Sequence, residues 1–145
     1  MQLTSKFTIA VHMITAIAYF RETEKVTSSF LAGSVGANPV IVRNVMGDLK
    51  NAGILDIRQG KSGIQLSVPL EQITLFDVYK AVGCMGEEGL FHFHAHPNPE
   101  CPVGRNIHKA LDFRLNSVQA AMEAELQKTT LSEIAAAVTT EKETN

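Results

Sequence analysis

The sequence predicts a mainly α-helical protein with one small β-hairpin: a winged helix-turn-helix followed by a long dimerisation helix. Three observations carry this prediction. Between Ser28 and Val45, seven positions agree at once with a helix-turn-helix. Ile54–Arg58 and Ile64–Val68 alternate apolar and polar residues about a Gly-containing turn, the pattern of a hairpin. Beyond about Arg105, Ile107, Leu111, Leu115, Val118, Met122 and Leu126 recur at spacings of three or four, which places them on one face of a single helix.

Thr4 or Ser5 caps the first helix, which runs to about Tyr19. Ile9, Ala10, Met13, Ile14, Ala16, Ile17 and Phe20 leave it little polar face, so neighbours must cover more than one side. Within it, Ala16-Ile17-Ala18 mimics a signal-peptidase site. The run Phe7–Phe20 nevertheless has one flanking positive charge, is interrupted by His12 and two threonines, and is too short to span a bilayer. A buried helix, a cytoplasmic location and no membrane partner are therefore expected.

After the charged loop Arg21–Lys25, a second helix starts at Thr27 or Ser28. With Ser28 as the first position of the motif, Leu31, Ala32, Val35, Gly36, Ala37, Val42 and Val45 fall at positions 4, 5, 8, 9, 10, 15 and 18. Leu31, Val35, Val42 and Val45 are the inward faces of two crossed helices. Ala32 sits at their closest approach, and Gly36 supplies the freedom the turn needs. Asn38 caps the third helix and Pro39 opens it, where a missing N–H costs nothing. That helix ends at Asn51, with Gly53 as its stop.

Pro69 closes the hairpin, and Glu71–Val82 reads as a fourth helix capped by Thr74, with Leu75, Val78 and Val82 inward. Residues 83–104 hold clustered glycines and three prolines, and no regular element longer than a short strand fits. The long helix that follows is roughly 30 Å or a little more. A monomer this small cannot bury such a rod, so a homodimer joined through Ile107, Leu111, Leu115, Val118 and Met122 is expected. Thr129-Thr130-Leu131-Ser132-Glu133 signals a capping box and a last short helix to Val138. The domain reading is thus 1–82 for the DNA-binding winged helix-turn-helix and 83–104 for a sensor or connector loop. Residues 105–138 hold the dimerisation helix and short C-terminal helix, and 139–145 a disordered tail.

A chain of 145 residues with net charge −2 does not advertise a nucleic-acid binder. Its distribution says more. Residues 1–63 hold seven Lys/Arg against four acids, a balance of +3, and the remainder is acidic. A mildly basic head permits phosphate contact at one end only. Two cysteines are too few for a disulfide scaffold. Met13, Met46, Met85 and Met122 read as core or spine filler. The glycines at 83, 86 and 89 do not sit between a strand and a helix, so they form no phosphate-cradling loop, and no enzyme is expected.

The chain resembles the Rrf2 family of bacterial transcriptional regulators. The resemblance rests on Met1-Gln2-Leu3-Thr4-Ser5-Lys6, on Val26-Thr27 leading into the motif, and on Leu49-Lys50-Asn51-Ala52-Gly53-Ile54-Leu55. Arg58-Gln59-Gly60-Lys61-Ser62-Gly63 stands at the family's glycine-rich wing, with fewer glycines. Ile73-Thr74-Leu75-Phe76-Asp77-Val78 and Thr129-Thr130-Leu131-Ser132-Glu133-Ile134 are similar to the family's two I-T-L segments. The resemblance implies a winged-helix dimer with the long helix as its spine, bound to pseudo-palindromic operator DNA. It also implies an iron–sulfur cluster held by three cysteines, and here the chain departs. Only Cys101 resembles a ligand position, so such a cluster is not expected and no metal site is assigned.

For DNA, Arg43 and Asn44 are placed to make bidentate contacts from the major groove, Arg to guanine and Asn to adenine. Ser28, Ser29 and Asn38 stand at helix N-termini that can hold phosphate oxygens. Val40 and Ile41 would touch thymine methyls if exposed, although burial is the expectation. Arg58 matches the family's minor-groove arginine, with Gln59 and Lys61 beside it. For sensing, the candidates are Cys84, Cys101, His92, His94, His96 and His108. In an extended segment His92, His94 and His96 share one face, which with Cys101 could take zinc or copper; the plainer reading is a polar face over a buried Phe91–Phe93 pair. Cys101 just before a helix is also a candidate redox thiol.

The function that follows is a DNA-binding transcriptional regulator, a repressor acting as a homodimer on pseudo-palindromic operators, with a small-molecule or redox effector. The alternative is a winged-helix dimer that has lost DNA binding and serves as a metal- or redox-sensing or protein-interaction module.

Overall fold

In a computed structural model of the chain, residues 5–58, 63–83 and 89–143 are described, the last three of these by backbone alone. Helix α1 (Ser5–Phe20) leads into α2 (Ser28–Val35) and α3 (Pro39–Asn51), then into strands β1 (Leu55–Ile57) and β2 (Ile64–Leu66). A 3-10 turn at Leu70–Gln72 precedes α4 (Leu75–Ala81), the long α5 (Pro102–Leu126) and α6 (Leu131–Glu143).

Helix α1 is the hub. Ala10, Met13, Ile14 and Ile17 are buried, and α2, α3, α4, α6 and β2 all pack around them. Thr15 is its buried polar residue, and its hydroxyl is satisfied by donating 2.8 Å to the carbonyl of Val11. Leu31, Val42, Val45 and Leu49 close the core from the helix-turn-helix side, while Val35 is only partly covered. The turn is built as its residues require. Gly36 adopts a φ of 72°, a conformation that side chains disfavour, and the Asn38 side chain accepts 2.8 Å from the Val40 N–H.

The hairpin is antiparallel, with Leu55 opposite Leu66 and Ile57 opposite Ile64. Its root is pinned to the start of the motif, because the Ile64 N–H donates 3.0 Å to the Val26 carbonyl.

The strands are shorter than the alternating runs that predict them, and three helix boundaries differ more widely from expectation. Glu71–Val82 is not one helix: Ile73 is extended, and α4 starts only after Thr74. Two interactions account for this. Thr74 and Asp77 close a capping box, and Ile73 accepts from Leu131 N–H at 2.8 Å while the Leu75 N–H donates 3.0 Å to Thr129. Helix α5 begins at Pro102 rather than Arg105, since proline suits the first helical position. Helix α6 continues to Glu143, past Val138 and through the residues expected to open a disordered tail.

Leu131, at the head of α6, is fully buried in the core that holds Met13, Val78 and Tyr79. Helix α5 is the opposite case. At 25 residues it is about 37 Å long, and none of its residues is buried.

Candidate nucleic-acid interface

The physics of α3 separates two faces. Val42, Val45 and Leu49 are fully buried, Met46 nearly so, and they fix the helix on α1 and α2. Arg43 and Asn44 are exposed on the opposite side, as reading residues must be. Val40 and Ile41, expected to be buried, are 54% and 39% exposed. The reason is the register: burial of Val42 and Val45 turns the first helical turn outward, and Asn38 caps it there. Gly47, which sequence reasoning passed over, lies on the outer stripe of Val40, Asn44 and Asn51, and a Cβ there would meet nothing within 4 Å. A glycine inside a helix that no neighbour requires is the signal that would have singled it out.

At the front of α2, the cap is Thr27, whose hydroxyl accepts 3.1 Å from the Phe30 N–H. Ser28 is half-buried in the first turn and Ser29 exposed beside it. On the hairpin, Arg58 is exposed and its Nε donates 2.7 Å to Asp56 Oδ2. Asp56 was also missed, although the Asp-x-Arg spacing puts both side chains on one strand face. Gln59 and Lys61 lie outside the described residues. Arg43, Asn44 and the Val40–Ile41 pair are thus brought together on one helix face, with Arg58 contributed separately by the hairpin.

In the connector, His92, His94 and His96 are exposed and no strand forms, and Phe91 and Phe93 are half-buried rather than the buried pair expected beneath a polar strand face. The three histidines and Cys101 do not form a common metal site: among the described residues no group of three or more His, Cys, Asp or Glu is placed to hold an ion. His94 instead faces His108 of α5, with ring centroids 5.0 Å apart. Cys101 is half-buried at the N-cap of α5, and the backbone N–H groups of Gly104 and Val103 hold its thiol below the usual range. Cys84 and Met85 lie outside the described residues. Of the expected spine residues, Ile107, Leu111, Leu115 and Met122 are half-buried against their own chain, whereas Val118 is 53% exposed. Phe113, on a neighbouring face, is 56% exposed.

The model of the Rrf2 family, described as an iron-dependent transcriptional regulator, matches residues 3–137. The chain belongs to the Rrf2 family of transcriptional regulators. It is 41% identical over 132 residues to YwnA of Bacillus subtilis (strain 168), named as an HTH-type transcriptional regulator, covering 91% of this chain and 96% of that one. A crystal structure described as that of a DNA-binding protein superimposes with a TM-score of 0.70 at 37% identity, covering 90% and 98% of the two chains. A second, of a transcriptional regulator from Lactobacillus plantarum, gives 0.76 at 26% identity over 94% and 91%. As a member of this family, the protein is a transcriptional regulator and not an enzyme. None of its described helices is long and apolar enough to cross a membrane.

The family's description implies iron. The donor set does not fit a cluster held by three or four thiolates, because the whole chain contains two cysteines.

Proposed function

We propose that this Rrf2 protein is a cytoplasmic homodimeric repressor that binds pseudo-palindromic operator DNA. The observation that carries the reading is the outward face of α3, where Arg43, Asn44, Val40 and Ile41 stand clear while the opposite face anchors the helix. Laid in the major groove, such a helix reads guanine through Arg43, adenine through Asn44 and thymine methyls through Val40 and Ile41. The N-terminal turns of α2 and α3, with Ser28, Ser29 and Asn38, hold flanking phosphates. Arg58 enters the minor groove from the hairpin, with Gln59 and Lys61 beside it.

Dimerisation through α5 is supported by the absence of any buried residue along its length and by exposed Val118 and Phe113. Two reading heads would then address half-sites about one helical turn, roughly 34–36 Å, apart. Where such a site overlaps a promoter, occupying that span excludes polymerase, the physical basis of the repressor reading. The signal enters through residues 83–104.

The test is fluorescence-anisotropy titration against fragments from the chromosome that carries the gene, with sedimentation of the free protein. Binding should weaken steeply with salt, and Arg43→Ala should cost about 1–3 kcal/mol. A chain that sediments as a dimer but binds no fragment at low salt would overturn this reading in favour of the DNA-binding-deficient dimer, and one that sediments as a monomer at micromolar concentration would overturn both.

A further inference from the structure

We propose that His94 and His108 form the anchoring pair of a site for one borderline divalent transition ion, zinc or copper(II), that fastens the connector to α5. The three features that define the site meet on the ring of His108. Its Nδ1 lies 3.0 Å from each carboxylate oxygen of Asp112, one helical turn further on. A carboxylate only accepts, so Nδ1 carries the proton and the Nε2 lone pair is left to bind. Imidazoles that ligate metals are backed in this way by a second-shell carboxylate, which sets the tautomer and raises basicity. The Phe93 ring stands edge-on to the same imidazole, centroids 6.4 Å apart at 88°, and walls off one side.

The His94 ring faces His108 at 5.0 Å between centroids, with planes tilted by 36°. Two imidazoles that share one ion at about 2.0–2.1 Å per nitrogen bring their centroids to roughly this separation. Both rings reach solvent, so water completes the coordination, and imidazole donors rank copper(II) above zinc. The position has a mechanical meaning. The connector is tied to α5 where the Leu90 N–H donates 2.8 Å to Gln119 Oε1, and again where the Cys101 N–H donates to Asn98 at the start of that helix. An ion on His94 and His108 adds a fastening midway.

The test is competition of the full-length protein against a chromogenic chelator, titrated with zinc and with copper(II) in the absence of DNA. One ion per chain is expected. His94→Ala and His108→Ala should each weaken binding at least tenfold, Asp112→Asn by about 10–100-fold, and His96→Ala not at all. Copper electron paramagnetic resonance should show superhyperfine structure from two imidazole nitrogens, lost in either histidine variant. Thermal melts establish that the variants fold; should His108→Ala fail, His94→Ala decides, since its side chain is exposed. The proposal is overturned if His94→Ala binds as tightly as the parent, if Cys101→Ser alone abolishes binding, or if no ion competes with the chelator. DNA is absent throughout, so success or failure here is separate from that of operator binding.

Discussion

Thr74 and Thr130 face each other across an antiparallel β-bridge, and each is the N-terminal cap of a helix with a closed capping box. On one side the Thr74 hydroxyl accepts 3.1 Å from Asp77 N–H, and the Asp77 carboxylate accepts 3.0 Å from Thr74 N–H. On the other, Thr130 and Glu133 exchange the same pair at 3.3 and 2.9 Å. Two helix starts 56 residues apart are thereby laced together, which seats Leu131 in the core.

Loss of either hydroxyl should therefore cost more than a free cap does in an isolated helix. Thr74→Ala and Thr130→Ala are each expected to destabilise the fold by about 1 kcal/mol. Leu131→Ala, which empties a fully buried site, should cost about 2–5 kcal/mol. Urea unfolding gives these values, and the two Thr variants should combine non-additively because their caps share a bridge.

Gly47→Ala should separate stability from recognition. A helical glycine with open space above it gains about 1 kcal/mol of stability on becoming alanine. If α3 lies in a groove, that methyl meets the duplex, and the same variant binds operator more weakly. A raised melting temperature together with a raised Kd is the expected pair of results.

Gly63→Ala is the converse. Gly63 has a φ of 66°, and a Cβ there would stand 2.7 Å from the Val26 carbonyl oxygen, a backbone atom that is itself hydrogen-bonded to Ile64. The left-handed conformation alone costs a side chain about 1–2 kcal/mol, and the close approach adds to it. Unfolding should show a loss of at least that size, with DNA binding weakened through the displaced hairpin.

Much of this architecture was legible from local rules. Asn38-Pro39, Gly36, Thr74, and Thr130 with Glu133 each announce a helix end by chemistry confined to a few neighbours. What was not legible depends on long-range partners. Ile73 is extended because Leu131, far along the chain, donates to its carbonyl. The exposure of Val40 and Ile41 follows from which side of α3 the core claims, a tertiary fact that hydrophobicity alone misassigns. His94 meets His108 rather than His92 or His96 because the connector takes no strand geometry and folds against α5 instead.

Cys101 should ionise at lower pH in the folded protein than in the unfolded chain. Amide groups at the start of α5 stabilise its thiolate, so the folded pKa lies below the unfolded one. The stabilisation this gives is full above the unfolded value and is lost as pH falls through the folded value. In a Cys84→Ser background, the rate of alkylation against pH should have a lower midpoint in native protein than in urea-unfolded protein. Coincident midpoints would contradict the stabilisation.

Asp56 holds Arg58 through an exposed pair at 2.7 Å, which at that exposure contributes about 0–1 kcal/mol to folding. Its effect on DNA should be larger than its effect on stability, because the carboxylate competes with phosphate for the same guanidinium and repels the duplex. Asp56→Asn is thus expected to leave the melting temperature nearly unchanged and to tighten operator binding at low salt. Arg58→Ala should weaken binding and, if the guanidinium displaces a counterion, flatten the salt dependence by nearly one unit of slope. In the double variant the gain from Asp56→Asn should shrink, since part of it acts through freeing Arg58; full additivity would mean that Asp56 acts only as a charge near the duplex.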